Sequence, residues 1–143
     1  MVTEFDGLPV LRQPVAIAAF EGWNDAADAS TAVIDHLEQA WQARPVTALD
    51  PEDFYDFQVT RPILTLVDDA RHVEWPTTRF TAATPAGTDR DVVLIRGIEP
   101  SMRWRTFISE IIGLAFELDV DRVVTLGALL ADTPHTRPVP ITT

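Results

Sequence analysis

Apolar residues fall along this chain in two rhythms. Val15–Phe20, Val92–Arg96 and Arg122–Leu126 are short, nearly continuous apolar runs, which suits strands covered on both faces of a parallel sheet. Between them the spacing changes to a helical one. The segment from about Asp25 to Gln42 places Ala26, Ser30, Val33, Leu37, Ala40 and Trp41 on one stripe. A second helix places Trp104, Ile108, Ile111, Ala115 and Leu118 on another. Both stripes predict buried faces, so Trp41 and Trp104 are expected to be buried.

Break-forming residues punctuate the pattern. Glu21-Gly22-Trp23-Asn24 ends the first strand, and Asn24 is a suitable N-cap, with Asp25 and Asp28 near the positive end of the helix. Val46–Leu49 reads as a short strand beyond Pro45. After a long connection over Asp50–Pro62 come Ile63–Val67, His72–Trp75 and Thr78–Ala83, three closely spaced strands with turns at Asp68-Asp69 and Pro85-Ala86-Gly87. Ser101 is a plausible N-cap for the second helix. Strand–helix–strand order with right-handed crossovers argues for an α/β fold of three layers, α/β/α, around a mainly parallel sheet.

The 143 residues suit one α/β domain over 1–143, or the amino-terminal part of a larger one. Pro134, Pro138 and Pro140 exclude a helix from the last stretch. The two apolar faces of Arg122–Leu126 therefore lack a following helix, and a truncated domain with an exposed apolar patch is expected.

Composition narrows the function classes. The formal net charge is −11, a field that repels phosphate backbones and anionic lipid, so neither nucleic acid nor a membrane is an expected partner. No cysteine is present and every basic residue is an arginine. Thiolate metal sites, cysteine nucleophiles and lysine Schiff bases are excluded within this segment. The first ten residues, MVTEFDGLPV, lack the basic start and apolar core of a signal peptide. A cytoplasmic protein is expected.

Three loops carry the candidate chemistry. Each begins where an apolar strand ends, and open α/β sheets bind ligands outside the carboxyl ends of their strands. Parallel pairing would bring Glu21, Asn24, Asp25, Glu99, His135 and Arg137 to one rim. Each also has a plain structural reading. Asn24 and Asp25 are what a helix start prefers, Trp23 is a packing aromatic, and Arg137 and His135 could serve local ion pairs and caps. In DPEDFYDF, Asp50, Glu52, Asp53 and Asp56 crowd together but lack the glycine and final glutamate of a calcium loop, so a solvated acidic loop is the better reading. His36-Leu37-Glu38 and His72-Val73-Glu74 fit H-x-E without the cysteines a zinc deaminase needs. No metal and no cofactor is expected, and no nucleotide-binding or nucleophile-elbow signature occurs.

Four segments together resemble the proteasome assembly chaperone 2-like family, in its bacterial branch and over its amino-terminal half. They are FEGWNDAADAS at Phe20–Ser30, FYDF with Arg61-Pro62, RGIEPSMRW at Arg96–Trp104, and LGALLADTPHTRP at Leu126–Pro138. The resemblance implies an open α/β/α fold of the phosphorylase/hydrolase kind and an assembly or protein-interaction role, through a homo-oligomer or a protein partner. It also implies an alternative, a carboxylate–amine ligase-like or hydrolase-like enzyme using the strand-end crevice. Relatives continue beyond the matched segments with further strands and a helical part.

Overall fold

The computed structural model describes residues 7–143. The reading of the first six residues lies outside the described part.

The elements run β1 (Val15–Glu21), a short 3-10 turn (Ala26–Asp28), α1 (Ala29–Ala40), β2 (Arg44–Ala48), β3 (Ile63–Val67), β4 (Ala70–Glu74), β5 (Arg79–Ala83), β6 (Val92–Ile98), α2 (Trp104–Glu117) and β7 (Arg122–Thr125). The main sheet has the order β2-β5-β6-β1-β7. β6 lies at its centre, and β1 is parallel to β6 on one side and to the edge strand β7 on the other. These are the three apolar runs read from the sequence.

The rest of the sheet corrects the expectation of a mainly parallel one. β5 pairs antiparallel with β6, and β2 antiparallel with β5, so the sheet is mixed. Only residues 84–91 join β5 to β6, and so short a link permits a hairpin but not a parallel crossover. β3 and β4 form a separate two-stranded sheet. Their turn, Asp68-Asp69, has φ of 50° and 62°, the paired positive values of a type I′ hairpin turn.

The helices pack on alternate sets of strand residues. Ile34 of α1 is buried with Ala19 and Leu94, and Ile17 and Leu37 pack around them. Phe107, Leu114 and Leu118, on and just after α2, are buried with Ala16, Ala18, Val93 and Ile95. Successive strand residues face opposite ways, so the two helices take opposite faces of the sheet.

Both helices depart from their predicted beginnings. Ala27 and Asp28 each have φ of 55°, which separates the 3-10 turn from α1. The buried side of α1 carries Ser30, Thr31 and Ile34, while Val33 is exposed. Arg103, at φ 54°, precedes α2 without a side-chain cap. Ser101 is not that cap. Its Oγ accepts from the Asp56 backbone N–H at 3.2 Å.

Candidate functional site

The loops after β1, β6 and β7 do meet at the carboxyl ends of the parallel strands. The Glu99 N–H donates to Glu21 O at 2.9 Å, and the Trp23 N–H donates to Glu99 Oε2 at 3.3 Å. Gly22, at φ 148°, allows this approach, because a Cβ there would stand 2.6 Å from Glu99 Oε2. On the other side of β1, the Ala128 N–H donates to Asn24 O at 2.8 Å and the Ala26 N–H to Ala128 O at 2.9 Å. A Cβ on Gly127 would overlap the Asn24 amide.

A fourth segment braces this rim from below. Phe54 and Tyr55 of the DPEDFYDF connection are buried in the α2-side core. Phe54 meets Phe107 edge to face at 5.3 Å between ring centres. The Ser101 N–H donates to Phe54 O at 2.8 Å, and the Tyr55 hydroxyl donates to Ile98 O at 2.9 Å. Asp53 pairs with Arg103 at 2.5 Å. Within this segment the sequence offers a chemical reading for its four acids and a family resemblance for FYDF, but no packing role for Phe54 and Tyr55. Its aromatic pair was the legible signal, since two large rings in a loop seldom stay in water.

The six predicted site residues separate into four places. Asn24 and Glu99 line a groove of about 350 Å³ between α2 and the ends of β1 and β7. That groove is otherwise largely apolar, with Phe20, Trp104, Ile108 and Leu126 among its walls. Glu21 lines a different cavity, a polar cleft of about 670 Å³ at the base of the β3–β4 hairpin. The physical reason is the strand period: Phe20 faces α2, so its neighbour Glu21 faces the opposite side.

Asp25 is buried and committed to structure. Its Oδ1 accepts from the Ser30 and Thr31 N–H groups at 2.7 and 3.2 Å, and both hydroxyls also donate to the carboxylate. Burial works to raise its pKa, but these hydrogen bonds outweigh it and hold the carboxyl below its ordinary value. Asp25, rather than Asn24, therefore caps α1. His135 and Arg137 are exposed and line neither cavity. The Arg137 N–H closes a local turn onto Pro134 O at 3.0 Å.

Two aromatic expectations are corrected here. Trp23 is 90% exposed and Trp104 is 49% exposed. Trp104 stands on the outer edge of α2 with Ile108, Ile112 and Phe116, which are 48%, 50% and 79% exposed. Every residue of β7 is exposed as well. Trp41 is half-buried against the α1-side core, closer to its predicted role.

The polar cleft gathers residues the sequence reading had not joined. Arg61, Arg79 and Arg96 share it with Glu21, Asp35 and Glu74. Arg79 pairs with Asp35 at 2.7 Å and with Glu38 at 2.6 Å. Burial alone would lower its pKa, yet these two carboxylates push it up, so it stays charged. Among the described residues, no group of three or more His, Cys, Asp or Glu side chains is close enough to hold a metal ion. No helix among them is long and apolar enough to cross a membrane.

The model of a family described as the PAC2 family matches residues 19–143. The crystal structure of a PAC2 family protein from Streptomyces avermitilis MA is similar, with 55% identity and a TM-score of 0.84 over 89% of this chain and 55% of that one. A proteasome-assembly chaperone homologue from Mycobacterium tuberculosis has 54% identity and a TM-score of 0.82, over 88% and 54%. A second Mycobacterium tuberculosis protein, of unknown function, has 29% identity and a TM-score of 0.78, over 94% and 48%. No curated protein matches the chain. The chain thus spans about half the length of the solved relatives it resembles.

Proposed function

Because the chain belongs to the PAC2 family, we propose that it acts in protein assembly as a contact element rather than as an enzyme. The observation that carries this reading is the β3–β4 hairpin. Leu64, Leu66 and Val73 share one of its faces by register and are 61%, 70% and 54% exposed. A two-stranded hairpin buries too little surface to be stable alone, and an apolar face of this kind gains from contact with another polypeptide. The similarity to a proteasome-assembly chaperone homologue supports the assembly side of the reading. The partner is a second copy or another subunit. On this reading it works in the cytoplasm, which a cysteine-free chain suits.

The finer fold reading belongs to the same proposal. The chain is the amino-terminal part of a larger α/β/α domain, and the remainder covers the outer edge of α2 and pairs with β7. Three features support this: the exposed apolar edge of α2, the exposed β7, and the relatives' nearly twofold greater length. The ligase-like or hydrolase-like alternative has no specific observation in its favour. Of the two cavities at strand ends, the groove beside α2 offers mostly carbon, with Glu99 its one ionisable wall. In the polar cleft Asp35 is tied to Arg79 and Arg96, while acid–base chemistry needs a pair of groups free to exchange a proton within reach of each other.

Sedimentation velocity on the 143-residue chain tests the contact role, with and without purified proteasome subunits. Wild type should form a complex or self-associate. The variant carrying Leu64→Asp and Leu66→Asp should associate markedly less than wild type, while keeping the wild-type unfolding midpoint. A variant that associates as well as wild type would refute the hairpin as the contact surface.

A further inference from the structure

We propose that the polar cleft beside the β3–β4 hairpin is a binding site for a carboxylate group, held by Arg61 and Arg96. Both arginines lie in segments that the sequence reading singled out, RP at 61–62 and RGIEP at 96–100, yet the assembly role uses neither.

The argument starts from hydrogen-bond donors. A guanidinium carries five N–H donors in a fixed fork and no acceptor. Arg61 donates through Nε to Gln58 O at 3.4 Å and takes part in no ion pair among the described residues. Arg96 is largely enclosed, with 22% of its side chain exposed. Its Nε lies 2.8 Å from Asp35 Oδ1, but off the line a hydrogen bond requires, so this buried N–H has no hydrogen-bond partner. Glu21 stands at 4.0 Å from Nη1, too far to hydrogen-bond. Buried donors are ordinarily satisfied. Asp35 cannot turn fully to Arg96, because Arg79 also holds its Oδ1 at 2.7 Å.

The buried Nε of Arg96 is closed off against Asp35, so the donors left for a ligand are the terminal Nη groups of Arg61 and Arg96, side chains that line the same space of about 670 Å³. That size lies within the usual range for small-ligand sites. It opens at the carboxyl ends of β1 and β6, where α/β sheets place ligands. Trp75 forms an exposed aromatic wall for the rest of the ligand.

Charge selects a carboxylate over a phosphate. Glu21, Asp35 and Glu74 also line the cleft, and Glu38 adjoins it through Arg79. A planar monoanion matches a guanidinium fork in two parallel hydrogen bonds. A phosphate near pH 7 brings up to a second negative charge against four carboxylates, which disfavours it. A small carboxylic acid and the free carboxy terminus of a peptide both offer the required group.

The test uses the 143-residue chain and NMR of the arginine Nε–Hε and Trp75 indole signals. The probes are propionate, an acetylated tetra-alanine with a free carboxylate, the same peptide as its amide, and inorganic phosphate. A saturable shift of the Arg96 Nε–Hε signal with propionate or the free peptide is expected, at least tenfold tighter than with the amide or with phosphate. Tighter binding of the free peptide than of propionate would identify the carboxy terminus as the source. Equal or tighter binding of propionate would identify a small acid. Arg96→Gln should weaken binding at least tenfold. Since Arg96 is partly enclosed, the exposed Arg61→Ala serves as the variant that leaves the fold intact, and it should weaken binding severalfold without moving the unfolding midpoint. Phosphate binding as tightly as the carboxylates, or no carboxylate response up to millimolar concentration, would overturn the proposal. So would undiminished binding by Arg61→Ala. None of these readouts depends on the hairpin contact.

Discussion

α1 and α2 cover opposite faces of one sheet, yet only α1 is finished. Its inward side holds Ile34, Ser30 and Thr31, and its outer side carries Asp35, His36 and Gln39. α2 buries Phe107 and Leu114 just as deeply but leaves Trp104, Ile108, Ile112 and Phe116 in water. The apolar arc of α2 is wider than the sheet surface it meets. Part of that difference lies in the strands. The covered face of α1 rests over β1 and β6, both central. The exposed edge of α2 stands beside β7, a short strand at the edge of the sheet with no further strand past it among the described residues. A helix over the middle of a sheet can bury its whole stripe, while a helix at the margin needs a second partner.

The largest expected effect tests whether α2 is docked by its inner side. Phe107→Ala should cost about 3–5 kcal/mol and Leu114→Ala about 2–5 kcal/mol, matching about 2–5 kcal/mol for Ile34→Ala on α1. Urea unfolding measures all three. A loss under about 1 kcal/mol for Phe107→Ala would mean that α2 sits on the sheet by some other face.

Next in size is the start of α1. Asp25→Ala removes the acceptor for two backbone N–H groups and two hydroxyls, and should cost about 1–3 kcal/mol at neutral pH. The folded carboxyl titrates below its ordinary value of 3.8. Its stabilising effect is therefore complete above that value and fades as pH falls through the lower, folded value. The gap between wild type and Asp25→Ala should narrow on acidification below about pH 4. A gap that is constant with pH would show that the carboxylate charge is not what holds the helix start.

Tyr55→Phe comes third, at about 0.5–1.5 kcal/mol, because it removes the hydrogen bond to Ile98 O that braces the Glu99 loop. Hydrogen exchange at residues 98–102 should quicken in that variant. If it does not, the loop is held from elsewhere.

The smallest expected effect sharpens the comparison most. Phe116→Ser and Ile112→Ser should shift stability by no more than about 0.5 kcal/mol, although equivalent changes at Phe107 or Ile34 would unfold much of the population. Trp104→Ala should likewise fall short of the about 3–5 kcal/mol of a fully buried tryptophan. Light scattering should show less self-association for Phe116→Ser than for wild type. A large stability loss at Phe116 would mean that the outer edge of α2 is covered in the isolated chain.

The apolar runs and helical spacing were enough to determine the three parallel strands, both helices and the Asp68-Asp69 hairpin, because these depend on local period and turn chemistry. Strand direction was enough to bring the Asn24 and Glu99 loops to one rim, whereas His135 and Arg137, expected beside them, are exposed and line neither cavity. Everything that depends on which neighbour lies across a face was decided by the tertiary structure. Spacing alone placed Trp104 on a buried stripe, but only the position of β7 at the sheet edge decides that the tryptophan stays half in water. Their shared place at the end of β1 made Glu21 and Asn24 companions, but Phe20 and Glu21 face opposite ways, so Glu21 enters the polar cleft while Asn24, beyond the strand, lines the apolar groove. Arg61 and Arg96 are 35 positions apart and carry no local signal of association. They share a cleft because β6 and the base of the β3–β4 hairpin come together there. The chain's periodicity reports how each segment wishes to bury itself, and only packing determines whether a partner is present to bury it.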